Sequence, residues 1–290
     1  DSTGLLPYKE RFPDRFFDVG IAEQHAVTAA SGMAMGGLRP VVAIYSTFLN
    51  RAFDQVNLDV AMHRQPVVFC LDRAGITGDD GASHHGVLDL VLLSKVPGMT
   101  IFTPSSYREV GVMLHDALEL CTAGPAAIRF PKTMPPDDAA ATSDGGEEVG
   151  SGLSARKVRT GRDVCILAVG KMLAPARTAA DAMASSHGIQ AAVWDVRLVK
   201  PLDEEMLAEA AAYPHVVTVE DGYRDGGAGS AIADRLAGLV AGEEHEDGPQ
   251  LTVLGVPVRF IQHGKPDDIL ASVGLDAEGI AATVRAVLGR

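Results

Sequence analysis

Apolar and polar positions alternate along this chain in two rhythms. Short β-branched runs that read as buried strands give way repeatedly to longer stretches with apolar residues three or four positions apart. FFDV (16–19) reads as the first strand and leads into a helical stretch, IAEQHAVTAASGMAMGG. VVAIYS (41–46) is followed by TFLNRAFDQVNLDVAMHR, and PVVFCLD (66–72) ends at a polar, glycine-rich loop. TIFTP (100–104) precedes the helix-like SSYREVGVMLHDALEL, and AAIRF (126–130) closes the set. Such runs, separated by helical patterns, predict βαβ units and a mostly parallel sheet.

Between residues 132 and 154 the pattern collapses into a linker rich in Pro, Gly, Asp and Ser with no apolar period. Alternation then resumes with DVCILAVG (163–170), a helix through Ala174 to Ser186, QAAVWDVR (190–197), a helix after Pro201 and HVVTVED (215–221). A turn, GGAGS (226–230), opens another helix, followed by LTVLGV (251–256) and two terminal helices. The expectation is an α/β protein with two doubly wound, mostly parallel domains, residues 1–131 and 155–290, joined by the linker 132–154. No repeat of solenoid period is visible.

Composition narrows the partners. The net charge of −13 over 290 residues repels nucleic acid and anionic lipid, although local arginines can still hold a small anion. Cys70, Cys121 and Cys165 are odd in number and lie in apolar runs, so they read as buried thiols of a cytoplasmic protein. No apolar stretch reaches membrane-spanning length, and DSTGLLPYKE has no signal-peptide character. The polar opening without an initiator Met reads as a cut linker, which makes this the back part of a longer polypeptide.

Common cofactor motifs are absent: there is no GxGxxG after a strand, no Walker loop, no HExxH and no GxSxG elbow. The Gly226–Ser230 turn fits either a phosphate cradle or a tight helix start, and the helix start carries more weight. The informative segments follow first-domain strands, at the end of an open sheet where ligands gather. Glu23 stands in the first turn of an apolar helix; taken alone it is a dipole-complementing residue. Tyr45, Phe48 and Arg51 follow the second strand, where a helix puts Phe48 and Arg51 on one face, a stripe that is usually core. After the third strand, DRAGITGDDGASHHG packs acids, two histidines and four glycines into a segment that its own apolar contacts cannot hold. Clustered Asp and His at a strand's C-terminal end favour a site there. Metal binding by the adjacent His84 and His85 is disfavoured.

FFDVGIAEQHA, VVAIYSTFLNRAFDQ, DRAGITGDDGASHHG and AIRFPK, in this order, resemble the pyrimidine-binding domain of the transketolase-like, thiamine diphosphate-dependent family, in its 1-deoxy-D-xylulose-5-phosphate synthase branch. The order VED, GGAGS, LGVP resembles that family's C-terminal domain. The resemblance implies that Glu23 hydrogen-bonds the cofactor's aminopyrimidine, controls its tautomer and so acts catalytically, and that Phe48 stacks on the ring. It implies that Tyr45, Arg73 and Arg129 hold the phosphate of glyceraldehyde 3-phosphate, with Arg51 near the pyruvate-derived carboxylate. Asp80 and His84 match catalytic positions that contact substrate hydroxyls and the carbonyl oxygen; His85 has no assigned role. For Arg73 and Arg129 structural ion pairing is the rival reading, and for Asp80 it is loop capping.

The GDG motif with a downstream asparagine, by which the family holds diphosphate through Mg²⁺, is missing. The resemblance therefore implies half of an active centre, with thiamine diphosphate shared with an upstream diphosphate-binding domain or subunit that carries the Mg²⁺ ligands. It further implies a homodimer, inactivity of the isolated fragment, and condensation of pyruvate with glyceraldehyde 3-phosphate to 1-deoxy-D-xylulose 5-phosphate and CO₂, the entry step of non-mevalonate isoprenoid synthesis. Two rivals stand beside this: the C-terminal subunit of a split transketolase-like enzyme acting on another sugar phosphate, and a non-catalytic scaffold. A 2-oxo acid dehydrogenase β subunit fits the third motif less well.

Overall fold

A computed structural model describes residues 3–132, 149–240 and 248–290. Most of the expected linker therefore lies outside the described residues. Two five-stranded sheets organise the chain. In the first, β1 (Val41–Tyr45), β2 (Val68–Asp72), β4 (Ala126–Arg129) and β3 (Thr100–Phe102) run parallel, in the spatial order β1-β2-β4-β3. In the second, β10 (Gln250–Val256), β9 (His215–Tyr223), β6 (Val164–Ala168) and β7 (Ala191–Asp195) run parallel in that order. Every residue of β4, β6 and β7 is buried, because helices cover both faces of a parallel sheet and leave no solvent side for alternation. The α/β class expected from the sequence is thus what the chain forms.

The flanking helices are α1 (Leu6–Arg11), α2 (Glu23–Met35), α3 (Asp89–Leu93), α4 (Tyr107–Leu120), α5 (Leu173–His187), α6 (Glu204–Ala211), α7 (Ala228–Val240), α8 (Pro266–Ser272) and α9 (Ala277–Val287). Caps start several of them: Ser106 and Asp203 accept the Glu109 and Met206 amides at α4 and α6, and Asp276 accepts that of Gly279 at α9.

Three elements depart from expectation. Phe16–Val19 is not a strand; it belongs to no ladder, and Phe17 and Ile21 are 67% and 85% exposed. An apolar run encodes extended backbone but not the neighbour that would pair with it. Residues 46–61 form no single helix but pass through α, 3₁₀, α and π turns. Val56, Val60 and Ala61 of the π stretch enter one apolar cluster with Val27, Ala30 and Ala34 of α2, and Ser31 Oγ donates to the Asp59 carbonyl at 2.6 Å. Much of the apolar surface of these two segments is therefore covered within the chain, although Met35 and Met62 stay 56% and 64% exposed.

The third departure concerns the sheet edges. β5 (Arg156–Arg159) adds antiparallel to β7, and β8 (Leu198–Lys200) leaves the second half to pair antiparallel with β3 of the first sheet. A buried polar chain braces that crossing. Arg197 Nε lies 3.0 Å from Glu109 Oε1, Ser105 donates its amide and hydroxyl to Glu109 Oε2 at 2.8 and 2.9 Å, and the same hydroxyl lies 2.7 Å from Asp195 Oδ2. Burial, together with the Glu109 charge, pushes the Asp195 carboxyl up to about 6. Of the cysteines Cys165 is buried, whereas Cys70 and Cys121 are partly exposed.

Candidate active site

The C-terminal ends of β1 and β2 place the sequence-selected residues side by side. Glu23, the first residue of α2, is 6% exposed even though its neighbours Gln24 and His25 are exposed. Its carboxylate is met at 3.1 Å by Arg51 Nη1. Arg51 remains half exposed and lies 5.1 Å from the centre of the Phe48 ring. Phe48 in turn stacks on Tyr45 with centroids 5.4 Å apart, and His84 meets Phe48 edge-on at 5.3 Å. The Arg73 guanidinium covers the other aromatic ring, 3.9 Å from the centre of Tyr45. Glu23, Arg51, Phe48, Tyr45, Arg73 and His84 thus form one continuous cluster from four chain segments.

Local backbone explains the placement. Arg73 adopts φ +58, a left-handed conformation for a non-glycine residue, where β2 ends. Its amide donates to Asp72 Oδ1 at 2.7 Å, and its guanidinium pairs with Asp72 Oδ2. Burial raises the Asp72 carboxyl despite the pull of Arg73. The loop returns through Gly75 and Gly86, whose main chains exchange hydrogen bonds at 2.8 Å. On its first-domain side Ser46 Oγ donates to the Gly86 carbonyl and Thr47 Oγ1 to that of Ser83, each at 3.3 Å.

Asp80 and Arg129 lie differently from the cluster. Asp80 is exposed, and its Oδ2 sits 3.0 Å from Lys132 Nζ; this hydrogen bond holds its carboxyl below the ordinary value. Arg129 is buried. Its Nε donates to Asp89 Oδ2 at 2.8 Å and its Nη1 to Asp221 Oδ1 at 2.7 Å, while Nη2 is buried without a partner. Lys171 Nζ adds a second cation 3.3 Å from Asp221 Oδ2. Burial alone raises the Asp221 carboxyl, but Arg129 and Lys171 outweigh it and bring it down to about 2. Sequence reasoning missed Asp89, Lys171 and Asp221. Asp221 had a signal, an acid closing the apolar strand HVVTVED, where a buried charge needs a buried partner.

Among the described residues no group of three or more His, Cys, Asp or Glu is arranged to hold a metal ion, and no helix is long and apolar enough to cross a membrane. The turn at Gly226 is closed by the chain itself: Glu220 accepts the amides of Ala228 and Gly229 at 2.9 and 2.7 Å, leaving neither for a phosphate.

Residues 1–137 match the family model for the transketolase pyrimidine-binding domain, and residues 153–280 match that for the transketolase C-terminal domain. A solved structure described as a split-gene transketolase, an inactive β4 tetramer, is 30% identical with a TM-score of 0.85, covering 100% of this chain and 89% of that one. A transketolase variant from Pichia stipitis shares the fold at 18% identity, with a TM-score of 0.74 over 93% of this chain and 37% of that one. The chain belongs to the transketolase family. Within it, the resemblance to 1-deoxy-D-xylulose-5-phosphate synthase holds over the full length. The enzyme of that name from Anaeromyxobacter sp. (strain K) is 47% identical over 100% of this chain and 44% of the relative. That from Thermobifida fusca (strain YX) is 46% identical over 99% and 44%. The chain spans less than half the length of these curated relatives.

Proposed function

We propose that this chain supplies the pyrimidine-binding half of a thiamine diphosphate site that condenses pyruvate with glyceraldehyde 3-phosphate to 1-deoxy-D-xylulose 5-phosphate and CO₂. The single observation that carries the reading is Glu23, a buried carboxylate in the first turn of α2, linked through Arg51 to the face of Phe48. A desolvated acid beside an aromatic plane fits an aminopyrimidine, whose ring nitrogen can accept a hydrogen bond from the protonated carboxyl group and whose face can stack. When bound, thiamine diphosphate supplies the nucleophilic carbon and the electron sink for decarboxylation.

The protein's own groups then have defined tasks. Glu23 holds or releases a proton at the pyrimidine ring nitrogen. Arg51, still half exposed, offers a guanidinium fork to a carboxylate, and Arg73 with Tyr45 offers one to a phosphate. Arg129 contributes to that phosphate through Nη2 alone, since Asp89 and Asp221 take its other contacts. His84 and Asp80, on the loop after β2, face substrate hydroxyls and the carbonyl oxygen, with His84 moving a proton.

The diphosphate and its Mg²⁺ fall to an upstream domain or subunit. This division is supported by the exposed Phe17 and Ile21 just before Glu23, and this chain spans 44% of the length of such a relative. Domain limits of 1–131 and 155–290, a homodimer and a cytoplasmic location complete the proposal. The alternative of a split transketolase-like subunit with another donor is favoured by one observation, the split-gene neighbour, which matches this chain over its whole length and 89% of its own.

The test is reconstitution with the upstream half of a relative, Mg²⁺ and thiamine diphosphate, following CO₂ release from pyruvate with and without glyceraldehyde 3-phosphate. Wild type turns over, and Glu23→Ala loses nearly all turnover while folding normally. Wild-type turnover in Glu23→Ala refutes the reading, and release from a different donor selects the alternative.

A further inference from the structure

Two adjacent histidines of the loop after β2 face in different directions. His84 meets Phe48, whereas His85 is 6% exposed and turned to the chain's second half. The Thr77 amide donates to His85 Nδ1 at 3.1 Å, with Thr77 Oγ1 at the same distance. An amide N–H can only be accepted by an unprotonated ring nitrogen, so the imidazole proton resides on Nε2. Nε2 is buried without a hydrogen-bond partner, and burial lowers the ring's pKa although the nearby main chain of Gln262 and Ile261 opposes it.

The same second-half segment covers the loop elsewhere. A Cβ on Gly78 would lie 2.6 Å from Pro266 Cγ and 2.9 Å from the Gly264 carbonyl, and one on Gly81 would lie 3.4 Å from His263 Cβ. Gly264 also donates its amide to the Gly78 carbonyl at 3.3 Å. The glycines are needed there because residues 263–266 press on the loop, and both Gly78 and Gly81 have positive φ.

From this geometry we infer that His85, by accepting from the Thr77 amide, pins the loop 73–86 where residues 263–266 cover it, and so is a positioning residue for Asp80 and His84. A neutral imidazole supplies the acceptor that the Thr77 amide requires. The inference goes beyond the proposed chemistry: the pinning stands by itself, and its effect on turnover rests on the reading of Asp80 and His84 as substrate-facing groups. It gives the C-terminal half a task at the active centre without a reacting group of its own.

The experiment uses His85→Leu, which removes the acceptor, and His85→Asn, which keeps an acceptor near the Nδ1 position. Amide hydrogen exchange in the 290-residue chain is expected to quicken at least about tenfold at Thr77 and through residues 78–86 in His85→Leu, with His85→Asn close to wild type. ¹⁵N NMR of the wild-type ring should show Nδ1 unprotonated and hydrogen-bonded. In the reconstituted enzyme, His85→Leu should lower kcat/KM for glyceraldehyde 3-phosphate by roughly tenfold to a hundredfold at unchanged thiamine diphosphate affinity, and His85→Asn should restore most of it. Unchanged exchange in His85→Leu, an Asn variant as loose as the Leu variant, or a protonated Nδ1 overturns the inference. If His85→Leu does not fold, the wild-type tautomer and the Asn variant decide the matter. A wild-type enzyme that makes no product, with exchange and tautomer as expected, refutes the functional proposal instead.

Discussion

The chain carries two glycine-rich turns at the ends of central parallel strands, and they do opposite things. After β9, Glu220 reaches over its own turn and takes the amides of Ala228 and Gly229, and a Cβ on Gly227 or Gly229 would fall 2.3 or 2.5 Å from Glu220 or Thr218. After β2, the glycines give way to atoms from the other half of the chain: Asp221 at Gly75, Pro266 at Gly78 and His263 at Gly81. The first turn is sealed by its own strand. The second is held from outside, so its polar residues Asp80 and His84 remain free of the core. What separates a helix start from a reactive loop is therefore which neighbour the glycines accommodate, and glycine content alone is the same signal in both.

The largest way to break this comparison is Gly75→Ala. The new Cβ would stand 1.8 Å from Asp221 Oδ2, at a backbone φ of +75, and Asp221 cannot swing away without leaving Arg129 and Lys171. Loss of a buried pair costs about 3–5 kcal/mol and the strained backbone about 1–3 more, so urea unfolding should show a severely lowered midpoint or no folded protein. An unchanged midpoint would mean that the second half does not press on this loop. Arg129→Met comes next. It leaves Asp89 buried without a cation and Asp221 with Lys171 alone, and should destabilise by about 3–5 kcal/mol; adding Asp89→Asn should recover part of the loss in a double-mutant cycle.

The third effect sharpens the contrast through pH. Burial raises the Glu220 carboxyl to about 7 despite its two amide donors, whereas its neighbour Asp221 is lowered to about 2. For Glu220 the native state binds the proton more tightly than the unfolded chain, so its contribution falls as pH rises from about 4.5 to about 7. For Asp221 the stabilisation is present above the ordinary Asp value and is lost as pH falls towards 2. Glu220→Gln should therefore change in stability relative to wild type by about 3 kcal/mol across pH 4.5–7, read by denaturant unfolding at each pH. A difference that stays constant across that window would show that Glu220 titrates as an exposed acid does.

These neighbours also mark where sequence reasoning succeeds and stops. The strands β1 to β4, β6, β7, β9 and β10 were legible because each is a short apolar run, most of them followed by a helical pattern, a purely local signal. β5 and β8 were not, since Arg156–Arg159 and Leu198–Lys200 acquire their strand character by pairing at sheet edges. Phe16–Val19 failed for the converse reason. Within the site, Glu23, Tyr45, Phe48, Arg51, Arg73 and His84 were legible from residue chemistry at strand ends and from the family resemblance, and the structure brings those six together. The partners of Arg129 were not: Asp89 and Asp221 are 40 and 92 residues away, and their choice depends on how the two sheets meet.

β8 has a consequence for how such a protein can be divided. Its three residues are encoded after the region matching the pyrimidine-binding family model, yet they complete the sheet that region builds. Severing the gene between the two matched regions would leave one product with a bare β3 flank and the other with an orphan strand. A break beyond Lys200 would keep β8 with β3 but part β6 from β9, so either division cuts one of the two sheets, a constraint that a reading of the matched boundaries alone would not reveal.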